Sequence, residues 1–301
     1  MDKENFKAYL AWAVICVVWG TTYLAVKIGI QSMPPMLFSG FRWFAASVVF
    51  IPVLLLRGYK FPKKKEWLTL SIVGILLLGI SNAMIVLSQL WIPSGVAALI
   101  VTTLPFCVVL IELFLPKGPR LNFFIISGLI LGFAGVVLIF NHDLSKVIDP
   151  SYFWGYAALF VSIISWAGGS IYSKRKKVDV HPLMGAAVQM FIAGLSQITA
   201  GAVLGEFPSF GFYNQESVLA FTYLMIFGSL FGYVAYIYAI SHLPVAFVTT
   251  YAYINPVIAI FLGWLVLNEG LNAVIIAAAI IILSGVYLVQ RGTQRQIQLK
   301  N

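Results

Sequence analysis

The chain has 301 residues, 61% hydrophobic and 10% charged, with a mean hydropathy of +0.96 and a formal net charge of +9. A soluble globular domain carries about 25% charged residues, so this much apolar side chain cannot be hidden from water in one core. The composition specifies an integral membrane protein. It argues against a disulfide framework or a metal site, because Cys16 and Cys107 both lie in apolar runs and His142, His181 and His242 are scattered without ligand spacing.

Ten apolar runs follow, each near the ~20 residues a bilayer requires. They fall at about 8–28, 35–56, 67–89, 94–115, 121–140, 152–173, 182–204, 217–240, 244–267 and 271–290. The first is longer than a signal-peptide core and no small-residue cleavage motif follows it, so it reads as retained. The connections Asn141–Ser151 and Gly205–Glu216 are too short to fold alone. Placing the N-terminus inside puts 16 of the 19 Lys and Arg residues in cytoplasmic segments, notably Arg57–Trp67 and Lys174–His181. The net charge then describes topology rather than a nucleic-acid footprint. A multi-pass protein of the inner (cytoplasmic) membrane is expected, with both termini in the cytoplasm.

The chain repeats itself. Trp19-Gly-Thr-Thr-Tyr-Leu-Ala-Val-Lys27 corresponds to Trp166-Ala-Gly-Gly-Ser-Ile-Tyr-Ser-Lys174 at an offset of 147, where Pro35 meets Pro182 and Arg42 meets Gln189. Pro93 through Pro105 corresponds to Pro244 through Pro256 at 151, and Gly135 to Gly285 at 150. Two units of five spans are expected, 1–146 and 147–301. Five is odd, so the units insert with opposite orientation, the inverted-repeat architecture of secondary transporters. The expected fold is an all-α polytopic membrane protein with ten transmembrane helices. Pro105 and Pro256 lie inside apolar runs, where proline interrupts the hydrogen-bond ladder and frees the carbonyls of Val101 and Ala252. In hydrocarbon those carbonyls need a partner or a water-lined cavity. The two prolines are candidate hinges.

The ordered set Trp19-Gly-Thr-Thr-Tyr23, Pro35 through Arg42-Trp43, Pro93 through Pro105 with Glu112, Tyr236 and Ala239 before Leu243-Pro244, Asn255-Pro256, Gly263 and Gly285-Val286 resembles the drug/metabolite transporter superfamily, in its ten-helix branch with two EamA-type repeats. The resemblance covers nearly the whole chain. It implies movement of a small organic solute (an amino acid, a related metabolite or a xenobiotic) by alternating access around a central cavity, as efflux or exchange, without a cofactor. One position departs from the pattern: the usual Gly-Glu ending of the ninth span reads Asn268-Glu269.

Helical spacing sorts the polar and aromatic groups into faces, because residues three, four and seven apart lie together. Thr249, Tyr253 and Pro256 share a face in span nine, and Ala98, Thr102 and Pro105 share its equivalent in span four. Asn82 and Gln89 align in span three, opposite Tyr233 and Ile240 in span eight with Tyr236 close by. Trp19, Thr22 and Tyr23 form a stripe in span one, matched by Trp166, Gly169 and Ser170 in span six. One reading is a shared aromatic and weakly polar cavity that stacks on and hydrogen-bonds an organic solute. The other is that the aromatic residues pack between helices or sit in interfacial belts. The candidate solute-binding residues are Trp19, Tyr23, Arg42, Asn82, Gln89, Thr102, Trp166, Gln189, Tyr236, Thr249, Tyr253 and Asn255; Asn255 is equally placed to cap the proline kink.

Arg42 lies about seven residues into span two, roughly 10 Å along the helix. A charge at that depth is costly and marks function. Its fork of donors suits a carboxylate or phosphate; alternatively it snorkels outward or binds backbone carbonyls. Glu112 falls near the cytoplasmic end of its span, where Lys117 or Arg120 would pair with it, and Glu269 falls near the outer face. No carboxylate is expected at mid-membrane, so proton coupling has no support. Gly128, Gly132 and Gly135 in span five allow close helix approach, making spans five and ten scaffold or a candidate homodimer surface. Enzyme chemistry lacks a reactive constellation. A channel or a non-transporting membrane sensor is the alternative to a carrier, and no nucleic-acid or metal partner is expected.

Overall fold

The computed structural model describes residues 3–115, 122–142, 150–176, 178–209, 211, 213–243, 248 and 251–298. Ten helical stretches run through these residues. Helices α1 (Lys3–Gly29), α2 (Pro35–Leu56), α5 (Phe123–His142), α6 (Pro150–Arg175), α7 (Pro182–Val203), α9 (Tyr251–Leu267) and α10 (Ala273–Gln298) are each one piece. Helix α3 spans Lys64–Ser88, α4 spans Ser94–Leu113 and α8 spans Gln215–His242. Seven of the ten are long and apolar enough to cross a membrane, while Phe123–Gly135, Ile254–Leu267 and Ala273–Val289 are shorter apolar helices. Among the described residues there is no strand. The fold is the all-α polytopic one expected from the hydropathy pattern.

Helix boundaries follow local chemistry, and they repeat. Proline occupies the first turn of both α2 and α7, where a missing N–H costs nothing. Both helices end on a glycine in the left-handed region, Gly58 at φ +81° and Gly205 at φ +74°. The amides of Tyr59 and Glu206 then reach back to the carbonyls of Leu54 and Gly201, the same C-terminal closure twice. At the end of α9 the left-handed residue is Asn268, at φ 52°. Asparagine tolerates that conformation better than other side-chain-bearing residues. The turn made elsewhere by glycine is thus made here by asparagine, which accounts for the departure from the family pattern.

Helix contacts show the same duplication. α2 packs on α7 and α5 on α10; α1 packs on α8 and α9, and α6 correspondingly on α3 and α4. Exchanging each helix with the one five places along leaves this pattern unchanged, as a two-fold relation between halves requires. The α5–α10 contact uses the glycines noted in the sequence. A methyl on Gly285 would sit 2.6 Å from the Gly132 amide nitrogen, and one on Gly135 would strike Ile282. That small-residue face is consumed within one chain rather than left for a second copy. The outward faces carry exposed Phe133, Phe160, Phe231, Phe261 and Trp264, as a hydrocarbon solvent permits.

One repeated feature was not visible in the sequence. Residues Ile75–Asn82 in α3 and Leu224–Tyr233 in α8 are π-helical, at equivalent places in the two halves. A π turn misaligns some carbonyls with the ladder. Side chains from neighbouring helices take them up: Ser165 Oγ donates to the Leu76 carbonyl at 2.7 Å, and Gln197 Nε2 to those of Leu78 at 2.7 Å and Gly79 at 3.0 Å. In α8, Trp19 Nε1 donates to the Gly228 carbonyl at 3.3 Å.

Candidate functional site

A cavity lies between the halves; with the open space at its mouth it encloses about 720 Å³. Its walls come from α1 (Trp19, Thr22, Tyr23, Val26), α2 (Arg42, Trp43), α3 and the residue after it (Ser81, Asn82, Ile85, Gln89), α4 (Val101, Leu104), α6 (Ser162, Ile163, Trp166), α8 (Gly228) and α9 (Tyr251, Asn255). None of the described residues of α5 or α10 lines it. Seven of the twelve candidate residues are brought together here: Trp19, Tyr23, Arg42, Asn82, Gln89, Trp166 and Asn255.

Among the described residues Arg42 is the one charged side chain of this wall, and it is 2% exposed. Its Nη2 donates to Asn82 Oδ1, its guanidinium carbon lies 4.6 Å from the centre of the Trp43 ring, and its Nε has no partner. It does not snorkel, and among the described residues it bonds to no backbone carbonyl and pairs with no carboxylate. Asn82 Oδ1 also accepts from Ser39 Oγ at 3.2 Å and Trp43 Nε1 at 3.1 Å. One oxygen at the end of the π segment of α3 therefore holds three donors from α2. Gln89 is fully buried, and neither its oxygen nor its nitrogen has a partner. An unmet buried polar group costs about 1–3 kcal/mol, and Gln89 carries such an amide at the cavity wall.

Aromatic and aliphatic side chains share the rest of the wall, with Trp19, Tyr23, Trp43, Trp166 and Tyr251 beside Val26, Ile85, Val101, Leu104 and Ile163. Trp19 meets Trp166 edge-on at 5.6 Å and Tyr251 edge-on at 5.0 Å, with Tyr236 tilted behind it at 5.2 Å. Asn255, with its amide turned to satisfy its neighbours, donates to the Cys16 carbonyl of α1 at 2.9 Å and to that of Tyr251 at 3.1 Å. It ties α9 to α1 beside Pro256 and also lines the cavity.

Other candidates stand elsewhere. Thr102 is buried but turns its hydroxyl to the Leu99 carbonyl at 2.6 Å. With Thr103, it marks a break in α4 between Val101 and Leu104, one turn before Pro105 would continue the ladder. Gln189 accepts from Tyr233 and stays outside the wall. Tyr236 supports Trp19 and accepts or donates with Ser170 at 3.1 Å. Helix α9 runs through Pro256. Thr249 lies outside the described residues, as does the side chain of Tyr253, and so do Lys117 and Arg120, the expected partners of Glu112. Sequence spacing missed Tyr251 and Ser162. Each lies four residues before a singled-out residue, Asn255 and Trp166, so the same spacing rule could have found them.

The charged residues near helix ends have structural work. Glu269 accepts from the Ser94 amide at 2.8 Å, its hydroxyl at 2.9 Å and the Gly95 amide at 3.2 Å, closing the N-terminus of α4. Glu206 does the same for α2 through Met36 and Leu37. Lys27 donates to the carbonyls of Gln89 and Ile92 beyond α3, and Lys174 to that of Ile240 near the end of α8 at 3.2 Å. These repeat-equivalent lysines cap repeat-equivalent helices, where cations are favoured.

A duplicated helical bundle with a largely apolar cavity at the seam, carrying a few buried polar groups, is the build of a membrane transporter. The chain belongs to the EamA-like transporter family, which matches residues 6–141 and 153–291. It is 34% identical over 299 residues to an uncharacterized inner membrane transporter, YedA, of Escherichia coli K12, covering 95% of this chain and 94% of that one. It is 26% identical over 291 residues to an uncharacterized transporter, YoaV, of Bacillus subtilis, covering 94% and 96%. A solved crystal structure shares the fold with a TM-score of 0.70 at 21% identity, over 96% of this chain and 98% of that one.

Proposed function

We propose that the protein is a secondary carrier that moves a small, negatively charged organic solute across the cytoplasmic membrane, as efflux or exchange, by alternating access of its two halves. The observation that carries this is Arg42, a buried guanidinium on a cavity wall without an opposing carboxylate among the described residues. Keeping such a charge buried is expensive, and an anionic solute is the partner that offsets it. Trp19, Tyr23, Trp43, Trp166 and Tyr251 supply flat walls, Gln89 and Asn255 supply amides, and Asn82 aims the guanidinium. The units 1–146 and 147–301 rock about the seam, with the break at Thr102–Thr103 and the Pro256 site as hinges. A channel or sensor lacks support from this wall, which has one charge rather than a ring of them.

Counterflow in proteoliposomes tests the reading. Saturable uptake of an organic anion, accelerated by unlabelled anion on the opposite side, is expected, and Arg42→Gln should remove it. Unchanged counterflow in folded Arg42→Gln protein would sink the anion role, and unsaturable flux would indicate a channel. Pro256→Ala is expected to retain binding and slow exchange. Wild-type exchange with altered binding would argue against the hinge.

A further inference from the structure

Two deficits face the same cavity from different places. Arg42 offers a positive charge with one N–H unmet, and Gln89 offers an amide with both its donor and its acceptor unmet. Arg42 is tied to Asn82, and Asn82 and Gln89 are seven residues apart along α3, about 10 Å of helix rise. Aromatic rings stand around the same space, with Trp19 held by Tyr251 at 5.0 Å and Trp166 at 5.6 Å. The described wall contains no Asp, Glu, Lys or His.

We infer that this cavity selects an aromatic monocarboxylate whose far end carries a hydroxyl: Arg42 takes the carboxylate, Gln89 takes the hydroxyl, and the indole and phenol rings flank the arene between them. This deepens the carrier reading above and rests on it. A single cation neutralises one negative charge; a second charge on a phosphate would be left unpaired in a low-dielectric space. An ammonium on the solute would find no carboxylate and would share the cavity with a guanidinium. The three donors already on Asn82 Oδ1 leave it unsuited as a substitute acceptor. A hydroxyl fits Gln89 better than a pure donor or a pure acceptor, because it donates to Oε1 and accepts from Nε2 at once. Stacked rings prefer offset or edge contacts with another arene, which an aliphatic chain of equal charge cannot supply.

The test is calorimetric titration of the full chain in lipid nanodiscs with five probes: 4-hydroxyphenylacetate, phenylacetate, 4-hydroxyphenylacetamide, tyramine and hexanoate. 4-Hydroxyphenylacetate should bind tightest. The amide, tyramine and hexanoate should each be weaker by about tenfold or more, and phenylacetate by about fivefold, the range expected for one charged and one neutral hydrogen bond. In Arg42→Gln the carboxylate and its amide should bind within about twofold of each other. In Gln89→Leu the advantage of the hydroxyl should vanish while that of the carboxylate persists. Glutamine at the repeat-equivalent position 189 shows that the first substitution suits such a helix pair, and the second variant reads independently of it. Equal binding of tyramine, the amide or hexanoate, a hydroxyl advantage that survives Gln89→Leu, or no binding by any probe would overturn the inference. Counterflow of some other organic anion that still requires Arg42 would then leave the carrier reading standing; absence of saturable flux for every anion would remove both.

Discussion

The two halves place a polar pair at the same address and use it differently. In the first half, Arg42 of α2 meets Asn82 at the end of the π segment of α3. In the second, Gln189 of α7 meets Tyr233 at the end of the π segment of α8. The first pair lines the cavity and carries a charge; the second is neutral and packed away, with Tyr233 fully buried. Duplication supplied the position, and divergence left a charge on the cavity wall in one copy and a neutral pair away from it in the other. The difference teaches that the cavity, although it sits at a seam between equivalent halves, need not be chemically symmetric. At this address one half presents a charge to the cavity and the other a packed hydrogen bond.

The largest expected effect follows from removing that charge. Arg42→Gln makes the first pair resemble the second and should lower anion affinity by roughly 10- to 100-fold, the range for a hydrogen bond to a charged group. Asn82→Leu comes next. It leaves Arg42, Trp43 and Ser39 without their shared acceptor and should cost about 1–3 kcal/mol in thermal unfolding, with weakened anion binding besides. Unaltered melting would show that the three donors find other partners. The lysines sharpen the comparison further. Lys27→Met and Lys174→Met should each destabilise by about 0.3–1 kcal/mol through loss of a helix C-terminal cation. Lys27→Met should also weaken solute binding, since the Gln89 carbonyl it holds belongs to a cavity residue, while Lys174→Met should not; equal effects on binding would erase the distinction between halves. Tyr233→Phe should likewise leave anion affinity unchanged, at a cost of about 1 kcal/mol in stability. A drop in affinity comparable to that of Arg42→Gln would mean that the second pair also handles solute.

Much of the fold was legible because hydrocarbon imposes simple rules. Run length gave ten helices, and the offsets of Trp19, Pro35 and Lys27 from Trp166, Pro182 and Lys174 gave the equivalences that the helix contacts repeat. The site was legible in part. A buried charge and a buried amide are conspicuous in apolar sequence, so Arg42, Asn82 and Gln89 stood out. Rings and hydroxyls are less decisive, since they serve packing as readily as binding. Thr102 satisfies its own helix, and Tyr236 supports a neighbour, yet their sequence surroundings look like those of Trp19 and Asn255. The π segments were invisible because Ile75–Asn82 reads as ordinary apolar helix, with no proline to announce a change of turn. The partners of Glu269 and Glu206 were invisible for another reason: each carboxylate closes a helix that begins about 170 residues away, a distance over which periodicity says nothing.

The π segments also set the phase of everything after them. Each holds more residues per turn than an α-helix, so the chain beyond is rotated about the axis relative to an uninterrupted helix. Every α-helical residue contributes about 100° and a π-helical one less, so winding Ile75–Asn82 back into an α-helix with no residue removed would turn Gln89 and its neighbours by about a quarter circle or more, away from the space they face. The widened turn behaves as a phase adjuster between the two ends of α3, and its counterpart in α8 does the same for the stretch that carries Tyr236. Such a rewinding would leave no mark on the length of the chain, but in the membrane it would re-aim half a helix.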